Sequence, residues 1–325
     1  MSQLYSRIFA ISTYYSDETM EIYLAHTQGF CAGVSRAMEV VERALTKYGT
    51  PLYVFHEIVH NTAVVNDFKK RGVTFVEDLE AIPDRSRVIF SAHGVSPSVI
   101  KRAQEKKLQY IDATCPLVTK VHTEALSFST KGIETVLIGH RNHQEIIGTL
   151  GYVLTPLLHI VENEEDIDRL TIDPAKPVGY LTQTTLSVTD TAKLIERLRS
   201  KFPKLINPPK EDICYATQNR QDAVRDLAKL CDMIVICGSP NSSNSNRLRE
   251  TAKSEGIPSY IVDAAQDFDI TLLEGKNSVG ISSGASVPRY IVDDLISKIK
   301  KIYRDAKIHS FPSLERSIVF PIPKI

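Results

Sequence analysis

One feature limits what this chain can fold into more than any other: short β-branched runs alternate with amphipathic helical stretches along nearly its whole length. Strand candidates are Glu21–Ala25, Pro51–Phe55, Val88–Ser91, Gln109–Asp112, Thr135–Ile138, Leu158–Val161, Val178–Leu181, Met233–Cys237, Ser259–Val262 and Ser278–Ile281. Helix candidates between them include Gly33–Tyr48, Leu117–Lys131, Val188–Phe202, Gln221–Leu230, Arg247–Gly256 and Val287–Tyr303. Strands joined by helical crossovers make parallel sheets, so the fold class is read as α/β. The tail from about Asp305 reads as irregular, with a last strand at Ser317–Phe320.

At 325 residues the chain is too long for one compact core. Three of its five cysteines occupy equivalent places, each where a strand has ended and a helix is about to begin. The contexts are Gly29-Phe30-Cys31-Ala32-Gly33, Asp112-Ala113-Thr114-Cys115-Pro116 and Asp212-Ile213-Cys214-Tyr215-Ala216-Thr217. The stretches between them are each about the size of a small α/β domain. The simplest architecture is three such domains, each offering one cysteine to a common centre. They are read as 32–115, 116–212, and 213–303 together with 20–31, followed by a tail at 304–325. Residues 1–19 are read as a frayed or disordered N-terminal extension, with Met20 as the true start.

The charge balance excludes some functions. Lys+Arg and Asp+Glu are 39 each, which leaves no net field to hold a polyanion, so neither nucleic acid nor a membrane surface is an expected partner. No apolar run approaches the roughly 20 residues that span a bilayer. An odd number of cysteines without close pairs argues against a disulfide framework and for a reducing, cytoplasmic setting.

Ligands of open parallel sheets bind beyond the carboxyl ends of the strands, where helix N-termini also point. That edge collects His60-Asn61, His93-Gly94, His143-Gln144-Glu145, Gln183-Thr184-Thr185, Ser242-Ser243-Asn244 and Gly284-Ala285-Ser286. Imidazoles donate hydrogen bonds suited to a diphosphate, and a carboxyl such as Glu145 moves protons. The Ser/Asn cluster either caps a helix beginning near Arg247 or forms an anion nest. Arg220, Arg247 and Arg249 read equally as supplementary charge or as a solvated helix face. The other six histidines read as ordinary surface or core residues, and Cys231 and Cys237 as buried thiols. A thiolate beside a helix N-terminus suits metal ligation. Three such ligands fit a 4Fe-4S cluster with one open iron, or a zinc ion completed by water.

Several segments together resemble the 4-hydroxy-3-methylbut-2-enyl diphosphate reductase family of the non-mevalonate isoprenoid route. They are Gly29-Phe30-Cys31-Ala32-Gly33-Val34, His56-Glu57-Ile58-Val59-His60-Asn61, Phe90-Ser91-Ala92-His93-Gly94-Val95, Asp112-Ala113-Thr114-Cys115-Pro116-Leu117, Thr182-Gln183-Thr184-Thr185-Leu186-Ser187, Asp212-Ile213-Cys214-Tyr215-Ala216-Thr217 and Asn241-Ser242-Ser243-Asn244-Ser245-Asn246-Arg247-Leu248. The resemblance runs in order from about Met20 to about residue 300. It implies three pseudo-threefold-related domains around a central cavity, and a 4Fe-4S cluster held by Cys31, Cys115 and Cys214 with one iron lacking a protein ligand. It implies that Glu145, His143 and Thr184 serve proton transfer beside the substrate hydroxyl. It further implies that His60, His93, His143, Thr184, Thr185, Ser242, Ser243, Asn244 and Ser286 bind the allylic diphosphate. It implies, too, that a ferredoxin or flavodoxin type donor supplies electrons. Gln144 stands where the family commonly has proline, a change expected to loosen the loop carrying Glu145. His26-Thr27-Gln28 replaces the usual Asn-Pro-Arg or similar triplet. An iron-sulfur hydro-lyase and a non-catalytic metal-binding metabolite sensor are the competing readings.

Overall fold

The computed structural model describes residues 19–153, 156–313, 315 and 318–325. Residues 1–18 of the expected extension, and Ser317 of the expected last strand, lie outside the described residues. The strands in chain order are β1 (Glu21–Leu24), β2 (Leu52–Phe55), β3 (Val73–Val76), β4 (Arg87–Phe90), β5 (Gln109–Asp112), β6 (Glu134–Ile138) and β7 (Leu158–Val161). After these come β8 (Val178–Thr182), β9 (Leu205–Ile206), β10 (Ile234–Cys237), β11 (Ser259–Val262), β12 (Ser278–Ser283) and β13 (Lys307–Ser310).

They assemble into three sheets, ordered β3-β2-β4-β5, β7-β6-β8-β9 and β11-β10-β12-β1-β13. Every described pairing is parallel. The first two sheets share one order: second strand, first, third, fourth. The third sheet repeats it, with β1 from the start of the chain in fourth place and β13 added outside it. The α/β reading with three related parallel sheets is what the chain adopts.

Period-two alternation buries both faces of each sheet. In β2, Val54 joins a core with Ile58, Ile89 and Ala113, while Phe55 joins the opposite core with Phe90 and Leu108. In β6, Val136 and Ile138 face one core and Leu137 the other. In β10, Val235 and Cys237 pack on one side, and Ile234 and Ile236 on the other with Cys231. Cys231 and Cys237 are therefore core thiols. Among the described residues no helix is long and apolar enough to cross a membrane.

Several expectations are corrected. Strands β3, β9 and β13 lie outside the expected strands: β9 has only two residues, three of the four in β13 are exposed, and the Val-Thr-Phe-Val run of β3 buries only Val73 fully. The tail is thus not wholly irregular, since Lys307–Ser310 pairs with β1. The strand expected at Ser317–Phe320 is absent from its described part, Ile318–Phe320. That segment leads instead to Ile322 and Ile325, which pack on the core of the first sheet. Two helices begin earlier than expected, at Tyr215 and Ser243, because Cys214 and Ser242 cap them. A Ser/Asn-rich first turn has weak helix propensity, and only the cap reveals it as helix.

Candidate active site

In each sheet the first and third strands are neighbours, at the point where the winding reverses: β2 and β4, β6 and β8, β10 and β12. Such switch points open a crevice at the strand ends. The chain leaving β2 carries His60, that leaving β6 carries His143 and Glu145, and that leaving β10 carries Ser242, Ser243 and Asn244. From the third strands come His93 after β4, Thr184 and Thr185 after β8, and Ser286 after β12. The three cysteines follow the fourth strands, on the stretches that lead into the next sheet.

All of these residues line a single cavity of about 110 Å³. Each cysteine is the N-cap of a helix: Cys31 before Ala32–Tyr48, Cys115 before Pro116–Thr130 and Cys214 before Tyr215–Ala228. Each is pinned by the same backbone contact. The N–H of Cys31 donates to the Ala285 carbonyl at 3.1 Å, that of Cys115 to Ala92 at 3.0 Å and that of Cys214 to Thr184 at 3.0 Å. All three acceptors lie just beyond a third strand, so the threefold relation extends to the site itself. Val34 N–H donates to the Cys31 sulfur at 3.4 Å, and Thr217 N–H to that of Cys214 at 3.4 Å. At Gly33 an added Cβ would lie 2.6 Å from the Cys115 sulfur and 3.8 Å from that of Cys31. These two sulfurs therefore flank one small volume. Burial pushes the Cys115 thiol up to about 12 and the Cys214 thiol to about 11, with the neighbouring cysteines adding to the effect. As free groups they keep their protons, which a bound metal centre displaces. Among the described residues no three His, Cys, Asp or Glu side chains are grouped tightly enough for a single metal ion.

Glu145 is 2% exposed. Thr184 donates to it twice, from its backbone N–H at 2.7 Å and from its hydroxyl at 2.9 Å. Burial nevertheless dominates and raises the carboxyl to about 7; the two Thr184 hydrogen bonds offset part of the rise. The residue sits in the first turn of the helix Gln144–Leu150, which the sequence reading treated as a loop. His143 caps this helix, its Nδ1 accepting from the Glu145 N–H at 3.2 Å. Gln144 occupies the first helical position, one that proline also favours.

Three imidazoles meet nearby. His60 and His93 stack with centroids 4.1 Å apart, and His143 stands edge-on to both, at 5.7 and 5.9 Å. Burial takes His143 down to about 3 and His93 well below its ordinary value, with their histidine neighbours adding repulsion. Both are thus neutral N–H donors until an anion arrives. Asn244 is buried, and among the described residues neither atom of its carboxamide has a hydrogen-bond partner. Such orphaned groups in a cavity wall are sites for a polar ligand. Ser286 donates to the His60 carbonyl at 2.9 Å, tying the third sheet's loop to the first's.

The sequence reading left out several contributors. Glu57 holds the His60 ring at 3.0 Å, and Thr217 places its hydroxyl 3.2 Å from the Cys214 sulfur. Gln183 is wholly buried, bonded to both Thr185 and Ser243. Each lies within three residues of a candidate named from the sequence, but the contact of Gln183 with Ser243, 60 positions on, exists only in the folded chain. Arg220 is corrected outright. It is 0% exposed and bonds the carbonyls of Ala216 and Gly29 and the Glu315 carboxylate, so it lies neither on a solvated face nor in the cavity. Arg247 pairs with Glu250 and, like Arg249, stays outside the cavity.

Comparison with known proteins accords with this geometry. The family model described as LytB protein matches residues 22–300. A relative from Nitrosomonas europaea, named 4-hydroxy-3-methylbut-2-enyl diphosphate reductase, is 49% identical over 312 residues, covering 94% of this chain and 97% of the relative. One of the same name from Azotobacter vinelandii is 48% identical, covering 94% and 98%. A solved structure of the E-1-hydroxy-2-methyl-but-2-enyl-4-diphosphate reductase from Plasmodium falciparum superposes with a TM-score of 0.90 at 37% identity, covering 94% of this chain and 96% of that one. With the family model spanning most of the chain and such relatives matching it nearly end to end, this chain belongs to the LytB family.

Proposed function

We propose that the chain is a 4-hydroxy-3-methylbut-2-enyl diphosphate reductase, which removes the allylic hydroxyl reductively to give isopentenyl and dimethylallyl diphosphate. The observation that carries this reading is that one cavity is lined by three cysteines, the Glu145–Thr184 pair and a diphosphate-sized set of imidazole, hydroxyl and amide donors. The relatives' names support the same substrate class.

Cys31, Cys115 and Cys214 suit a 4Fe-4S cluster, being three soft ligands at helix N-termini that face one space. When bound, a cluster with one iron free of protein ligands supplies a Lewis acid and relays electrons from a ferredoxin or flavodoxin type donor. The chain's own groups supply the rest. His60, His93, His143, Thr184, Thr185, Ser242, Ser243, Asn244 and Ser286 bind and orient the substrate. With a pKa near neutrality, Glu145 holds a proton for the departing oxygen, and the Thr184 hydroxyl keeps its carboxyl aimed. Val34, Val59, Leu117 and Val118 line the same cavity and exclude water. The balance is two electrons and two protons in: the C–O bond breaks, a C–H bond forms and water leaves. All five cysteines are free, which supports a reducing, cytoplasmic setting.

The test is an anaerobic assay with the allylic diphosphate and a chemical reductant, following both products and iron content. Turnover that needs reductant and scales with iron is the expected result. Conversion without reductant points to a hydro-lyase, and binding without conversion to a sensor.

A further inference from the structure

Gln183 follows β8 directly and is wholly buried, yet its carboxamide makes three contacts across two sheets. The His140 backbone N–H, which can only donate, lies 3.1 Å from Oε1. That contact fixes which end of the amide is oxygen. The NH2 group must therefore face the other way, and it donates to Thr185 Oγ1 at 2.9 Å and to Ser243 Oγ at 3.2 Å. A hydroxyl oxygen that accepts there must send its own proton elsewhere. Thr185 sends its proton to Ser243 Oγ at 3.0 Å. Among the described residues the Ser243 proton has only the Thr185 carbonyl, at 3.5 Å, a poor acceptor. The result is a one-way chain of donors, running from a backbone amide in the second sheet to a hydroxyl of the third, and ending at the cavity wall with a proton in need of an acceptor.

We propose that Gln183 is a positioning residue that sets the polarity of the Thr185 and Ser243 hydroxyls: Thr185 gives its proton to Ser243, and Ser243 is left to present its own to an acceptor-only ligand, the diphosphate. The inference rests on the proposed function for the diphosphate itself. It adds the reason why the neutral Ser243 hydroxyl, equally able to accept, acts as a donor in this site. Aligned chains of this kind polarise one another, which strengthens the terminal donor. Gln183 touches no reacting atom in this scheme, so its removal weakens binding and leaves the chemical step.

The test uses the iron-loaded enzyme and inorganic diphosphate as the probe, by titration calorimetry and by competition with substrate. Gln183→Glu keeps the shape and the acceptor for His140, but turns both hydroxyls inward and sets a carboxylate beside the anion. It is expected to weaken diphosphate binding by about 100-fold or more. Gln183→Met removes the donor without a charge and is expected to cost about tenfold. In both variants KM should rise while kcat stays within a few-fold, with iron content and unfolding midpoint near the parent's. Diphosphate binding within twofold of the parent in either folded variant overturns the inference. So does a parallel fall in kcat, iron and midpoint, which marks a merely structural residue. If the parent itself fails to bind diphosphate, the proposed function falls first and the inference with it.

Discussion

The Glu145 carboxyl is enclosed on all sides and takes two hydrogen bonds from one residue, Thr184, yet holds its proton to about pH 7. Removing a charge from water outweighs two neutral donors. The sign of the pH dependence follows. The protonated form is the donor, and its fraction falls as pH rises through 7, so kcat should be level on the acid side and decline above neutrality. Glu145→Gln should retain iron and bind substrate, but lose roughly 10²–10⁴ in kcat along with that pH dependence. Steady-state rates across the neutral range check this; near-normal turnover in the variant would end the proton-donor assignment. At this scale much was legible. Glu145 and the three cysteines stand in polar, non-aliphatic contexts at strand ends. Gln183 and Arg220 were not legible, because each gains its role from a partner far along the chain: Ser243 for Gln183, and Gly29 and Glu315 for Arg220.

The cysteine-bearing helices show how much a single element can decide. Helix Ala32–Tyr48 has a glycine at its second position, where any Cβ would press on the Cys115 sulfur across the cavity. Gly33→Ala forces that sulfur to rotate away, which costs the cysteine pair its shared space more than it costs the helix, since alanine is the better helix former. The expected outcome is a several-fold loss of bound iron and of visible absorbance, with far-ultraviolet circular dichroism unchanged. Full iron retention would show that the space beside Gly33 is not where the metal centre sits. The sequence signalled two of these helices to within a residue of their starts, but the third, Tyr215–Ala228, only from Gln221, because its polar first turns carry no apolar stripe. It did not signal Gln144–Leu150, a short helix whose start rests on a histidine cap.

The molecule as a whole repeats one winding order three times and borrows its first strand to finish the third sheet. The join depends on Arg220, whose guanidinium reaches from the helix after Cys214 to the Gly29 carbonyl ahead of Cys31, and to Glu315 in the tail. Breaking a buried charge pair from one side leaves the remaining partners unpaired. Arg220→Met should therefore destabilise the protein by about 3–5 kcal/mol, with Arg220→Lys recovering part of the loss. Urea unfolding monitored by circular dichroism measures it. A change below about 1 kcal/mol would mean the tail and the Gly29 loop are held by other contacts.

The α/β class, most strands, the cysteine-bearing helices and the strand-end edge that carries the chemistry were all written in local pattern. Apolar periodicity and cap residues act over a few positions, and the alternation reports them directly. Tertiary structure alone decided that the strand ends of three sheets meet in one cavity, that Glu145 keeps its proton, that Asn244 finds no partner among the described residues and that Gln183 orders two hydroxyls. Those properties arise from burial and from contacts between residues far apart in the chain, and neither quantity exists until the sheets have packed.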